Sequence, residues 1–383
     1  MKKAVLISIS ILWNVMAIDA QNVASFKISF DEDKVVLPIS YRSGANPVIE
    51  VQLNGKGPYK FMFDTGSPIV AKLDEKVFNE LNLSVTDSVL AGDGSGANSK
   101  SFPVTNLKEI SIGTYHIKNV DAMVRNYNQR KNIDVIDGVI GLSFFKGVLV
   151  ELNFETNQLI ISKGKLDKED KSAFAMSTEN DVPRIKLKLG SKELPAILDT
   201  GNMGWLTVHS SDITNEMILG TPKVVGRAKT VSNEFEIREA ELNQAIAIGS
   251  IEFQNPTIII NDVLPQSNAG IRFLRQMNIT FDMKNNLVRL VRFQPKLSET
   301  NSKNDNEYTG KYGDRTITAN DEGTLFIQRP NGMLMKMVAR SKDGFGLEMV
   351  PNAAIVFERD SNNKIIAVKV SKGDGVWERS AKD

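Results

Sequence analysis

The chain has 383 residues, 41% of them hydrophobic, with 47 basic and 46 acidic side chains and no cysteine. That length allows two or three domains with a sizeable core, and the balanced charge offers nothing to steer nucleic acid or an anionic membrane. The lack of cysteine excludes disulfides, thiol catalysis and thiol lipidation, and with His116 and His209 the only histidines a structural zinc site lacks its usual ligands.

Lys2 and Lys3 precede an apolar run at 4–13, and the small residues Ala17 and Ala20 follow. Residues 1–20 therefore read as a secretory signal peptide cut near Ala20. The run is interrupted at Asn14 and falls well short of the ~20 apolar residues a membrane span needs. A cysteine-free, lysine-rich chain with this leader suits a bacterial periplasm or exterior. Residues 24–44 alternate loosely and are expected to form a lead-in strand pair against the first lobe. Residues 48–53 then read as a strand, Asn54-Gly55-Lys56-Gly57 as a hairpin turn, and 59–63 as the returning strand that delivers Asp64-Thr65-Gly66-Ser67. Residues 73–83 look like a short helix. The glycine-rich stretch around Gly92, Asp93, Gly94, Ser95 and Gly96 follows; it has no Gly-Lys-Ser/Thr ending, so it is not a phosphate loop.

The same plan returns in a second half. Residues 184–189 and 194–198 form the hairpin, Gly190-Ser191 the turn, and Asp199-Thr200-Gly201-Asn202 the loop. Asp64 precedes Gly113 by 49 positions, and Asp199 precedes Gly249 by 50. Ile110-Ser111-Ile112-Gly113 matches Ile246-Ala247-Ile248-Gly249, and Gly141-Leu142-Ser143-Phe144-Phe145 matches Gly270-Ile271-Arg272-Phe273-Leu274. A tandem repeat folds as two related units, and two-fold related lobes bring Asp64 and Asp199 together. Paired carboxylates at close range share one proton. They can activate a water and protonate a leaving amine. Gly66 and Gly201 permit the loops to approach, and Thr65 and Thr200 are placed to bond across the local two-fold.

This constellation resembles the two-lobed aspartic proteases, retropepsin-like or pepsin-like, over about residues 45–292. The resemblance implies an all-β fold of two tandem barrel lobes with pseudo-two-fold symmetry: 21–165 and 166–294 after the leader. It further implies an apolar-apolar-glycine strand behind each Asp loop. Val139-Ile140-Gly141 fits that role well, and Asn268-Ala269-Gly270 less well. By the family pattern Ser67 bonds the outer oxygen of Asp64. The matching Asn202 stands where pepsin-like enzymes carry Ser or Thr, which leaves the protonation balance of the pair open. Gly92 to Gly96 would be the tip of a substrate-covering flap, without the flap tyrosine of the pepsin-like branch.

Residues 295–306 are polar and read as a linker. Residues 307–383 carry short strands between Gly- or Asn-rich turns, which suggests a small antiparallel β-barrel or sandwich. Tyr308-Thr309-Gly310-Lys311-Tyr312 with Phe357-Glu358-Arg359-Asp360 is similar to the lipocalin-like tail of some bacterial hydrolases. The expected function is an aspartic endopeptidase acting on peptides or proteins through Asp64 and Asp199. It would need no metal or organic cofactor, bind no nucleic acid and work as a monomer. A Ser-His-Asp triad lacks a nucleophile elbow, and a carboxylate metal site lacks visible extra ligands. The alternative from another class is a peptide-binding protein of the same fold that has lost turnover.

Overall fold

A computed structural model describes residues 27–42, 45–92, 99–129, 134–229, 234–262, 266–292, 307–320, 323–329, 334–347, 350–371 and 377–383. The expected leader, the expected linker and the flap residues Asp93, Gly94, Ser95 and Gly96 lie outside the described residues; Gly92 ends the strand Val85–Gly92. The chain is all-β, with only short helical turns between strands. It divides into one unit up to Arg292 and a second after it. No helix among the described residues is long and apolar enough to cross a membrane.

Within the first unit, two nine-stranded sheets repeat one strand order. In the first sheet the central run is Tyr115–Arg125, Ala71–Asp74, Gly138–Gly141, Lys56–Asp64, Asn46–Leu53 and Ser99–Ile112. In the second it is Thr257–Asn261, Leu206–His209, Ser267–Gly270, Lys192–Asp199, Arg184–Leu189 and Ile246–Ile248. Strands Gly138–Gly141 and Ser267–Gly270 each run parallel to an Asp-bearing strand, with Gly141 opposite Asp64 and Gly270 opposite Asp199. Asn268 thus occupies the same place behind its loop as Val139 does in the first half. The last four residues of both Asp-bearing strands are buried, as expected where both faces of a sheet are covered.

A third sheet of six strands takes its members from both halves. Leu149–Asn153 and Gln158–Ser162 continue into Met277–Asp282 and Leu287–Arg292. At the junction Val150 faces Phe281, Glu151 faces Thr280, and Leu152 faces Ile279. Leu152 and Phe281 are repeat-related, so this pairing maps onto itself and the local two-fold passes between Glu151 and Thr280. Lys34–Pro38 and Ala173–Ala175 close the two edges.

Two local expectations are corrected. The lead-in strands do not pair with each other. Lys27–Phe30 joins Tyr115–Arg125, Lys34–Pro38 joins Gln158–Ser162, and Ser40–Arg42 joins Asn46–Leu53. The first and third thereby satisfy their backbone on the first nine-stranded sheet and the second on the six-stranded sheet. The expected helix at 73–83 is shorter. Ala71–Asp74 is a strand, and the helix is Glu75–Glu80, capped by Asp74 accepting from the Lys76 amide. The turn at Asn54 and Gly55 is as the sequence implied: both residues have positive φ, 51° and 77°, which a two-residue hairpin turn requires.

In the second unit eight antiparallel strands follow one another from Gly310–Tyr312 to Glu378–Ala381. A bridge between Tyr312 and Lys382, and the Asp383 amide donating to the Lys311 carbonyl at 2.9 Å, join the first strand to the end of the last. The result is a closed up-and-down barrel filled by side chains that include Tyr312, Phe345, Ile355 and Phe357.

Candidate active site

Asp64 and Asp199 end matching strands and are only 3% and 4% exposed. Each carboxyl lies against the loop of the other, and the charge of Asp64 bears on Asp199. The turn after each Asp folds back on it. The Gly66 amide donates to Asp64 Oδ1 at 3.0 Å. The Gly201 and Asn202 amides donate to Asp199 Oδ1 at 2.9 and 3.1 Å.

The threonines lock the two loops. Thr65 Oγ1 donates to the Leu198 carbonyl at 2.7 Å and accepts from the Thr200 amide at 3.0 Å. Thr200 Oγ1 donates to the Phe63 carbonyl at 2.6 Å and accepts from the Thr65 amide at 3.0 Å. Four buried bonds thus cross the local two-fold. A side chain at Gly66 would overlap the Asp199 carboxyl, and one at Gly201 would overlap that of Asp64. Only glycine fits either position, so each carboxylate packs against the opposing loop.

Around this symmetric centre the halves differ. The Ser67 hydroxyl does not bond the outer oxygen of Asp64; it donates to the Ile69 carbonyl at 3.0 Å and accepts from the Ile69 amide at 3.2 Å. This tightens the loop, and a hydroxyl has one proton to give. On the other side Asn202 reaches Asp199 through a relay. Its Nδ2 donates to Asn268 Oδ1 at 2.7 Å, and Asn268 Nδ2 donates to Asp199 Oδ2 at 2.8 Å. Sequence reading gave the Asn268 side chain no role, although a polar residue where the repeat calls for an apolar one was a usable signal. Asn46 was also missed. Its Nδ2 donates to the Thr200 and Gly201 carbonyls at 2.7 and 3.1 Å, tying a first-half strand to the second-half loop. Beside Val139 the first half places Lys72, where beside Asn268 the second places Thr207. Lys72 is 2% exposed.

These surroundings set the electrostatics. Burial raises both carboxyls above the usual carboxylate range. Asp199 is pushed up to about 7 by burial and by the charge of Asp64, against the pull of Asn268 and the two amides. Asp64 is also raised by burial, and Lys72, the amides of Gly66 and Ser67 and the nearness of Asp199 oppose that rise. Burial lowers Lys72, which Asp64 partly offsets. Both carboxyls thus favour the protonated form more than exposed ones do, and Lys72 lies on the Asp64 side.

His116 stands 3.2 Å from Glu109 and His209 2.7 Å from the Ser211 hydroxyl, both on their own local partners. Among the described residues no three His, Cys, Asp or Glu side chains gather as metal ligands would.

An all-β chain with two Asp-Thr-Gly loops interlocked across a local two-fold is consistent with an aspartyl protease fold. Residues 49–144, which carry the first of these loops, match the family model for aspartyl protease, and this match supports placing the chain with a protease family. No curated protein matches the chain at a significant level.

Proposed function

We propose that the protein is an aspartic endopeptidase of two retropepsin-like lobes, with Asp64 and Asp199 as its catalytic dyad. The observation that carries this reading is the pair of buried carboxyls, each packed on the other's loop and held by reciprocal threonine bonds. One shared proton makes one carboxyl a base and the other an acid at the same time. Asp64, with Lys72 on its side, is the ionised member and takes a proton from a water. The water oxygen attacks the peptide carbonyl carbon while Asp199 gives its proton to the carbonyl oxygen. The resulting diol collapses when the proton now on Asp64 passes to the nitrogen and the C–N bond breaks. Asp199 recovers a proton from the diol, which restores the starting state. The residues at 1–20 further suggest that the enzyme works outside the cytoplasm, and the barrel after residue 306 carries no part of this chemistry.

Peptide-library digestion by the wild type, Asp64→Asn, Asp199→Asn and the double variant tests the reading. Each single substitution is expected to abolish cleavage, and the double to be no worse, because residues that act as a unit are non-additive. Activity retained by Asp199→Asn and lost by Asp64→Asn would exclude an intramolecular dyad. Peptide binding with no cleavage by the wild type would favour the binding protein.

A further inference from the structure

Arg125 ends the strand Tyr115–Arg125. Its guanidinium lies 5.3 Å from the centre of the Phe102 ring and 5.8 Å from that of Tyr127. The residue is half-buried, yet among the described residues it makes no ion pair and no hydrogen bond. A guanidinium withdrawn from water onto two rings keeps its charge, and its five donors call for an anion. Tyr127 adds a second unmet demand. Its hydroxyl is buried with no hydrogen-bond partner among the described residues, and a buried polar group of this kind calls for a partner.

Both groups lie on the face of the sheet that carries the dyad. Lys72 is opposite Met123 and Val139, and Val139 is opposite Met62. Side chains two apart on a strand share a face, so Arg125 lies on the side of Met123 and Asp64 on the side of Met62. The Tyr127 ring packs on Val48, Met62, Ile136 and Val139. The charges of Arg125 and Asp64 both reach the Tyr127 hydroxyl, and Lys72 is within the influence of Asp64, Arg125 and Asp199. Asp74, opposite Arg125, is occupied by the amides of Lys76 and Tyr127.

We propose that Arg125, Phe102 and Tyr127 form a subsite for an acidic side chain of the substrate, one or two residues from the bond that is cut. A carboxylate accepts two parallel bonds from a guanidinium fork and a third from the Tyr127 hydroxyl. The two rings hold the guanidinium in place. The subsite rests on the peptidase reading and makes the substrate class peptides with Asp or Glu near the scissile bond.

The test uses matched peptides with Glu or Gln at each position flanking a cleavable bond. They are digested by the wild type, Arg125→Gln, Arg125→Lys and Tyr127→Phe. At one position the wild type should prefer Glu by about tenfold or more in kcat/KM, the scale of charge-assisted bonds. Arg125→Gln should bring that ratio close to one, Arg125→Lys should restore part of it, and Tyr127→Phe should lower it severalfold. A general disturbance of the fold would depress both peptide series alike and leave the ratio standing. A wild type that cleaves Glu and Gln peptides equally, or an Arg125→Gln variant that keeps the preference, would overturn the subsite. If no peptide is cut, the peptidase reading fails. Fluorescence anisotropy of the same labelled peptides on wild type and Arg125→Gln then decides the subsite by the same Glu-to-Gln ratio.

Discussion

Asn268 replaces a hydroxyl as the donor to the outer oxygen of one carboxyl of the proposed dyad, and that exchange has a measurable signature. Its bond to Asp199 favours the ionised form. Asn268→Val removes the donor, so the Asp199 carboxyl should hold its proton to higher pH. The high-pH limb of the kcat/KM profile should move up from near 7 by about one unit, given that bonds to charged groups are worth about 1.5–3 kcal/mol. Asp199→Asn tests the same residue through stability. The folded-state Asp199 is raised from 3.8 to about 7, so its contribution is complete below pH 4 and is lost as pH rises towards 7. Relative to wild type, Asp199→Asn should gain stability across that window and level off above it. The raised carboxyl limits the gain to about 4 kcal/mol, and urea denaturation at pH 4, 6 and 8 would measure it. At this scale the Asp, Thr and Gly of each loop were legible in the sequence, because a three-residue motif repeated in matching surroundings seldom arises by chance. The turn of the Ser67 hydroxyl and the reach of Asn268 and Lys72 were not. These depend on which strands become neighbours and in what register, and local sequence does not encode that.

The strand that delivers Asp64 is braced from below by rings. Phe63 lies 5.0 Å from Phe145, which stacks on Tyr115 at 6.0 Å and meets Phe144 at 5.1 Å. All four are fully buried, and Phe144 and Phe145 sit on the turn Leu142–Phe145 directly after Gly141. Phe145→Ala should therefore cost about 3–5 kcal/mol in a denaturation experiment. It should also depress kcat more than KM, because Phe63 carries the carbonyl that Thr200 holds. Strand positions were readable wherever one face is buried: Gln158–Ser162 alternates, with Leu159 and Ile161 inside. The lead-in strands were readable as strands and not as a pair, since Lys34–Pro38 finds its partner more than a hundred residues away. Turn chemistry and alternation are local, whereas the choice of partner strand is not.

The whole molecule consists of two units with separate cores, the first held together by the shared six-stranded sheet and the second closed on itself. The polar residues at 295–306 join them. Limited proteolysis should cut there first and leave two resistant fragments, one ending near Arg292 and one beginning near Glu307. Each should unfold cooperatively by itself in calorimetry, and the larger should keep any peptidase activity. Loss of folding in the larger fragment would show that the barrel belongs to its core. The four threonine bonds between Asp64's loop and Asp199's loop have a bearing on how the protein is made. Residue 64 leaves the ribosome long before residue 199. A chain with only its first half folded holds a solitary carboxyl, with no partner to share a proton and no opposing threonine to fix its loop. Under the proposed mechanism, competence then arrives only when the second half, through its strands Met277–Asp282 and Leu287–Arg292, has been added. A growing chain therefore holds no paired carboxyls until its second half has folded.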